Sequence, residues 1–154
     1  MLRSLALAVA LLNLSAAGCS TSSETQEASP GTAPASVRDA ATGEPFLLDE
    51  GDAVQVAGHA LRFDSVVEDS RCPANTSCVW EGRAKIQLTA SSPTGASESA
   101  ILTVPPSGAM RDGETATWEI GGVVVDLLAL SPYPGSEADE NEAPSQAQLA
   151  VRAK

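Results

Sequence analysis

The sequence predicts an all-β fold: a single antiparallel β-sandwich or small barrel of about seven or eight short strands, preceded by a signal peptide and a disordered tether. Three observations carry that prediction. From Pro45 onward the apolar residues recur at period two or in β-branched clusters, and not at helical spacing. Gly, Pro, Asn, Asp and Ser separate the apolar runs at short intervals. No segment combines helix caps with a sustained apolar stripe, and no internal repeat is present.

The chain opens Met1-Leu2-Arg3-Ser4 and then runs from Leu5 to Leu12 without a polar residue. One positive charge followed by a short apolar stretch has the form of a signal peptide, well below the roughly 20 residues a membrane-spanning helix needs. Ala16-Ala17-Gly18-Cys19 follows, small residues up to a cysteine. That tetrad resembles the lipobox of bacterial lipoproteins, with Ala16 where leucine is usual. The resemblance implies cleavage after residue 18 and lipid on Cys19. An ordinary secretory signal cut nearby is the alternative, and it leaves an unlipidated chain with a stray thiol.

Cysteine parity bears on the choice, because three cysteines in an oxidising compartment leave one over. If Cys19 carries lipid, Cys72 and Cys78 remain as a pair, and outside the cytosol such a pair is expected to form a disulfide. The two or three acyl chains of a mature lipoprotein cysteine anchor it stably, whereas one binds marginally. Ser20 stands where lipoproteins held at the inner membrane typically carry aspartate. The resemblance therefore implies an outer-membrane protein facing the periplasm or, in a host with one membrane, a protein on the outer cell surface.

Residues 19–44 comprise the cysteine and a linker of Ser, Thr, Ala, Pro, Gly and Glu, with Val37 the only sizeable apolar side chain from Ser20 onward. This composition cannot bury enough surface to offset its ordering entropy. Such a tether reaches roughly 25–30 Å root-mean-square. Residues 45–154 suffice for one domain with one core. Strands are expected over 46–48, 53–57, 60–67, 79–89, 100–104, 115–120, 123–130 and 148–151, with turns at 50–52, 58–59, 92–95, 105–113, 121–122 and 132–145. The hairpin Thr117-Trp118-Glu119-Ile120-Gly121-Gly122-Val123-Val124-Val125 is the clearest local element.

The chain carries a formal charge of −11, and loss of Arg3 leaves 8 basic against 20 acidic residues, or −12. Nucleic acid and anionic lipid surfaces both need a basic patch, so neither is an expected partner of the domain. His59 stands alone in a turn, Met110 sits in a Pro/Gly-rich loop, and Glu137, Asp139, Glu140 and Glu142 lack the spacing of a calcium loop. No metal or cofactor is expected. Enzymatic activity is not expected either, since no nucleophile elbow, phosphate loop or dinucleotide fingerprint is present.

The most distinctive stretch runs Glu68-Asp69-Ser70-Arg71-Cys72-Pro73-Ala74-Asn75-Thr76-Ser77-Cys78-Val79-Trp80-Glu81-Gly82-Arg83-Ala84. A bridge across this loop is worth about 2 kcal/mol of closure entropy. Two readings of Asp69, Arg71, Trp80 and Glu81 stand side by side. They present a charged and aromatic binding surface, or they staple the fold, with Trp80 over the disulfide and Arg71 paired to Asp69 or capping loop carbonyls. Asp69-Ser70-Arg71-Cys72-Pro73, Cys78, Trp80 and Gly82 resemble a D-S-R-C-P then C-x-W-x-G motif of small bacterial lipoproteins of uncharacterised function. Leu130-Ser131-Pro132-Tyr133-Pro134 resembles a further part of that pattern. The resemblance implies a shared fold unit and no particular activity.

Taken together, these features lead to the expectation of a membrane-anchored lipoprotein whose non-enzymatic β-domain binds an envelope protein or ligand. The alternatives are a protease inhibitor that presents the Cys72–Cys78 loop through Arg71 or Pro73, and an envelope protein that binds copper or calcium.

Overall fold

Period-two burial is clearest in the strand Ala84–Ser91, where Ala84, Ile86, Leu88 and Ala90 are buried and the residues between them face outward. The computed structural model describes residues 38–105 and 110–154. The signal peptide 1–18, the lipidation site Cys19 and residues 20–37 of the tether lie outside the described residues, as do 106–109 of the turn expected over 105–113.

In chain order the strands are β1 (Phe46–Asp49), β2 (Ala53–Val56), β3 (His59–Asp69), β4 (Ala84–Ser91), β5 (Ser97–Thr103), β6 (Thr117–Ile120), β7 (Val123–Ser131) and β8 (Gln146–Ala153). They form two antiparallel four-stranded sheets, ordered β2-β3-β4-β5 and β1-β8-β7-β6. The fold is thus a sandwich and not a closed barrel. Leu61, Phe63, Ile86, Leu88 and Leu102 of the first sheet and Val125, Leu127, Leu149 and Val151 of the second meet in one core.

Bulges tune this burial. In β7 the register shifts between Leu127 and Ala129, so the inward face passes from Val125 and Leu127 to Leu130, and Leu128 is left outside. In β3 shifts after Phe63 and after Val66 leave Val67 exposed.

Backbone hydrogen bonds lace both seams of the sandwich. At one edge the strap 38–43 reaches β2 through Gln55 N–H to Arg38 O (2.8 Å) and Ala40 N–H to Gln55 O (2.9 Å), and β8 through Gly43 N–H to Val151 O (2.8 Å). At the other edge Thr103 N–H donates to Thr115 O and Leu127 N–H to Ala116 O, each at 2.8 Å. The ordered domain therefore begins before Pro45: the strap is held through its backbone, which side-chain composition does not reveal.

The connections sort by length onto the two ends. Short turns at 57–58, 92–96 and 121–122 share one end. Long connections 70–83, 104–116 and 132–145 share the other with the β1–β2 turn. Gly121 and Gly122 both take positive φ (57° and 85°), as a two-residue hairpin with the right twist requires.

Several expected boundaries move. No strand forms over 79–83: Gly82 has φ 72° and a Cβ there would fall on the Ser70 carbonyl, so the chain stays irregular up to Ala84. The turn expected at Gly58-His59 sits at Ala57-Gly58, with His59 already in β3 and its Nδ1 3.1 Å from Ala57 O. The acidic segment, within the turn expected over 132–145, contains one turn of helix, α1 (Glu137–Glu140), in which Ser136 Oγ accepts from Asp139 N–H. A single turn has no apolar stripe, so periodicity cannot announce it.

Replacing Phe63 by Ala is expected to cost about 3–5 kcal/mol in urea unfolding, whereas Leu47→Ala, on the exposed face of β1, shifts stability by no more than about 0.5 kcal/mol. Equal losses at the two positions would contradict the burial pattern.

Candidate functional site

The β3–β4 connection, residues 70–83, carries the disulfide, and its two limbs run alongside each other beyond the strand ends. Ser70 N–H donates to Arg83 O (2.7 Å) and Cys72 N–H to Glu81 O (3.0 Å). The Cys72–Cys78 disulfide, with Cα atoms 5.9 Å apart, closes the tip. The bridge expected from cysteine parity is present.

Arg71 fastens this loop to the opposite sheet. Its Nε and Nη2 donate to the two carboxylate oxygens of Asp69 at 2.9 and 2.6 Å. Its Nη1 donates to Leu130 O at 2.6 Å, and Nη2 also donates to Pro132 O at 2.8 Å. The guanidinium lies over the Tyr133 ring, 5.0 Å from its centroid. A planar fork with five fixed donors can serve both oxygens of a carboxylate and two carbonyls at once, four acceptors where an ammonium has three donors. The side chain is 9% exposed. Further along, Ala74 N–H donates to Pro134 O (2.8 Å), and Gly135 packs so closely on Pro73 and Asn75 that a Cβ would crowd both.

The segments 69–82 and 130–134 are therefore in direct contact. Asp69 and Arg71 come together as the staple reading expects. Trp80 is not buried there: it stands 81% exposed, with Val79 beside it at 87%. The reason is local, since the sharp bend at Gly82 and the docking of 73–75 on 134–135 turn the second limb outward. Glu81 follows on the same exposed limb, and its backbone carbonyl accepts from Cys72. Arg71 is committed inward and Pro73 is half-buried, so what the loop offers outward is residues 74–81.

A charged ladder braces the base of the loop. Glu114 takes Arg83 Nη1 at 2.5 Å and the Arg111 N–H at 2.9 Å, with Lys85 Nζ at 3.8 Å, and Lys85 also pairs with Glu68 at 3.0 Å. Lys85 holds the Glu68 carboxyl below its usual range. A depressed carboxylate stabilises the fold above its unfolded pKa, and the contribution fades as pH falls through the folded value.

A groove of about 230 Å³ runs between the loop and β7, lined by Arg71, Glu81, Gly82, Val104, Leu130 and Tyr133. No local pattern in the chain announces that Glu114 meets Arg83 or that Tyr133 lies under Arg71, since both pairings join residues far apart in sequence. His59 is at the short-turn end beside Gly121, whereas Met110 and the acidic residues 137–142 belong to the long-connection end. Among the described residues no group of three or more His, Cys, Asp or Glu could hold a metal ion.

Fold and loop together define a disulfide-stapled β-sandwich with an exposed apolar pair, Val79 and Trp80, on the second limb of the loop. No family model matches the chain, and no match is found among the curated proteins or the solved structures.

Arg71→Met is expected to lower stability by about 2–4 kcal/mol, because it leaves Asp69 Oδ2 and two carbonyls without their guanidinium donor, while Asp69 Oδ1 keeps only the N–H of residue 71. Arg71→Lys should recover little of that loss. Trp80→Ala should lie within about 0.5 kcal/mol of the parent. Removal of both cysteines, as Cys72→Ser with Cys78→Ser, should cost about 2 kcal/mol. Chemical denaturation of the purified domain measures all four.

Proposed function

We propose that this chain is a lipid-anchored protein of the bacterial cell envelope whose β-domain is a non-enzymatic binding module, contacting another envelope component through the 70–83 loop. The observation that carries this reading is the pair Val79 and Trp80, held in water on a loop fixed by a disulfide and by Arg71. Folding does not bury the indole, and with Val79 beside it an exposed apolar pair is left free for a contact outside the chain. A rigid loop loses little freedom on binding, which is the condition under which one aromatic anchor yields useful affinity.

The anchor half of the proposal rests on Ala16-Ala17-Gly18-Cys19 and on the pairing of Cys72 with Cys78, which leaves Cys19 as the odd cysteine. By the same reading the protein is on the outer membrane, facing the periplasm. The family resemblance of the Asp69 to Gly82 motif supports the same class of protein.

Two substitutions test the two halves. Cys19→Ala should abolish incorporation of labelled palmitate and move the chain to the soluble fraction. Trp80→Ala should reduce, roughly several-fold, the envelope component retained with the chain after chemical crosslinking, at unchanged melting temperature. Palmitate labelling that survives Cys19→Ala would remove the anchor, and crosslinking indifferent to Trp80 would remove the loop as the contact.

A further inference from the structure

The two ends of the sandwich differ in charge as sharply as they differ in loop length. The short turns 57–58, 92–96 and 121–122 contain no ionisable side chain. At the other end there are two acidic residues in 50–52, one in 70–83, two in 104–116 and four in 132–145, against three arginines, 71, 83 and 111. Two of those arginines are turned inward, Arg71 onto Asp69 and Arg83 onto Glu114. The exposed Val79 and Trp80 lie at this acidic end.

We infer that the long-connection end docks onto a protein surface rich in Lys and Arg, with Trp80 seated in an apolar slot on that surface and Val79 beside it. This inference rests on the binding-module reading and names the chemistry of the partner. An apolar anchor within a field of one sign selects a partner of the opposite sign, because like charge around a desolvated contact is strongly unfavourable. That condition turns away anionic lipid and nucleic acid. It also turns away a second copy of this chain related by a two-fold axis, which would bring two acidic ends together. The carboxylates steer encounter and set the partner's sign, while the indole supplies the desolvated centre.

The loop is preorganised for this. Its first limb is fixed beneath by Ala74 N–H to Pro134 O and by the packing of Gly135 on Pro73 and Asn75. That same docking joins the 132–145 connection, whose sequence holds four acidic residues, to the stapled loop through Pro134 and Gly135.

The test uses the full chain in envelope preparations of the cell that makes it, with a photoreactive benzoyl-phenylalanine replacing Val79, Trp80 or, as a control at the short-turn end, Pro93. Positions 79 and 80 are expected to crosslink one partner protein through a peptide of net positive charge, and position 93 is not. Yield should fall about tenfold or more as salt rises from about 50 mM to about 500 mM. It should also fall several-fold when Glu50, Glu137 and Glu142, whose carboxylates have no side-chain partner among the described residues, are replaced by Gln in a variant of unchanged circular dichroism. An adduct from position 80 that goes to lipid, or to an acidic peptide, or that ignores both salt and the Gln substitutions, overturns the charge-complementary partner while leaving the binding loop in place. Absence of any adduct from 79 and 80, or an equal adduct from 93, overturns both.

Discussion

The guanidinium of Arg71 joins a loop that belongs to one sheet to the end of a strand that belongs to the other. Through Leu130 O and Pro132 O it is bonded to β7 and to the start of the 132–145 connection, while through Asp69 it is bonded back to β3. A sandwich core holds its sheets together by non-directional burial, which leaves their ends free to splay. Directional bonds at the open end remove that freedom. The disulfide closes the tip of the loop but does not set where the loop lies; its position over β7 comes from Arg71, Ala74 and Gly135. Because the first limb is held down, the second can be presented upward with apolar side chains in water and still keep one shape.

That division of labour reconciles the two readings of the motif. Asp69 and Arg71 belong to the scaffold, and Val79 and Trp80 to the surface. Stability and the proposed recognition thus rest on different residues of one short segment. The separation lets the tip vary without loss of the fold, provided that the bend at Gly82 and the contacts of Arg71 are kept.

Much of the fold was legible in the sequence because two-sheet burial imposes period two, and β4 and β8 display it cleanly. The Gly121-Gly122 hairpin was legible for the same kind of reason, since two adjacent glycines permit positive φ at both turn positions. Boundaries were lost where tertiary geometry overrides local preference. Val79 and Trp80 have strand-like side chains, yet the approach of Gly82 to the Ser70 carbonyl keeps them out of the sheet. The strap 38–43 and the bulge after Leu127 are products of backbone pairing, which leaves almost no mark on composition. At the candidate site, Asp69 with Arg71 was readable as a local pair. Tyr133, Leu130 O and Glu114 were not, since each lies tens of residues from its partner and no spacing rule connects them.

The strap has a mechanical meaning. A pull transmitted along the chain toward Arg38 meets the backbone bonds of 38–40 to Gln55 first, then that of Gly43 to Val151, before it reaches the four residue pairs of β1 with β8. The strap's side chains are mostly exposed, so peeling it uncovers little core. The first contacts such a pull would open therefore lie at the margin of the domain, away from the stapled end, which lies beyond the far end of β1. The bonds that hold the loop carrying Trp80, from Arg71 and Ala74, are not among them.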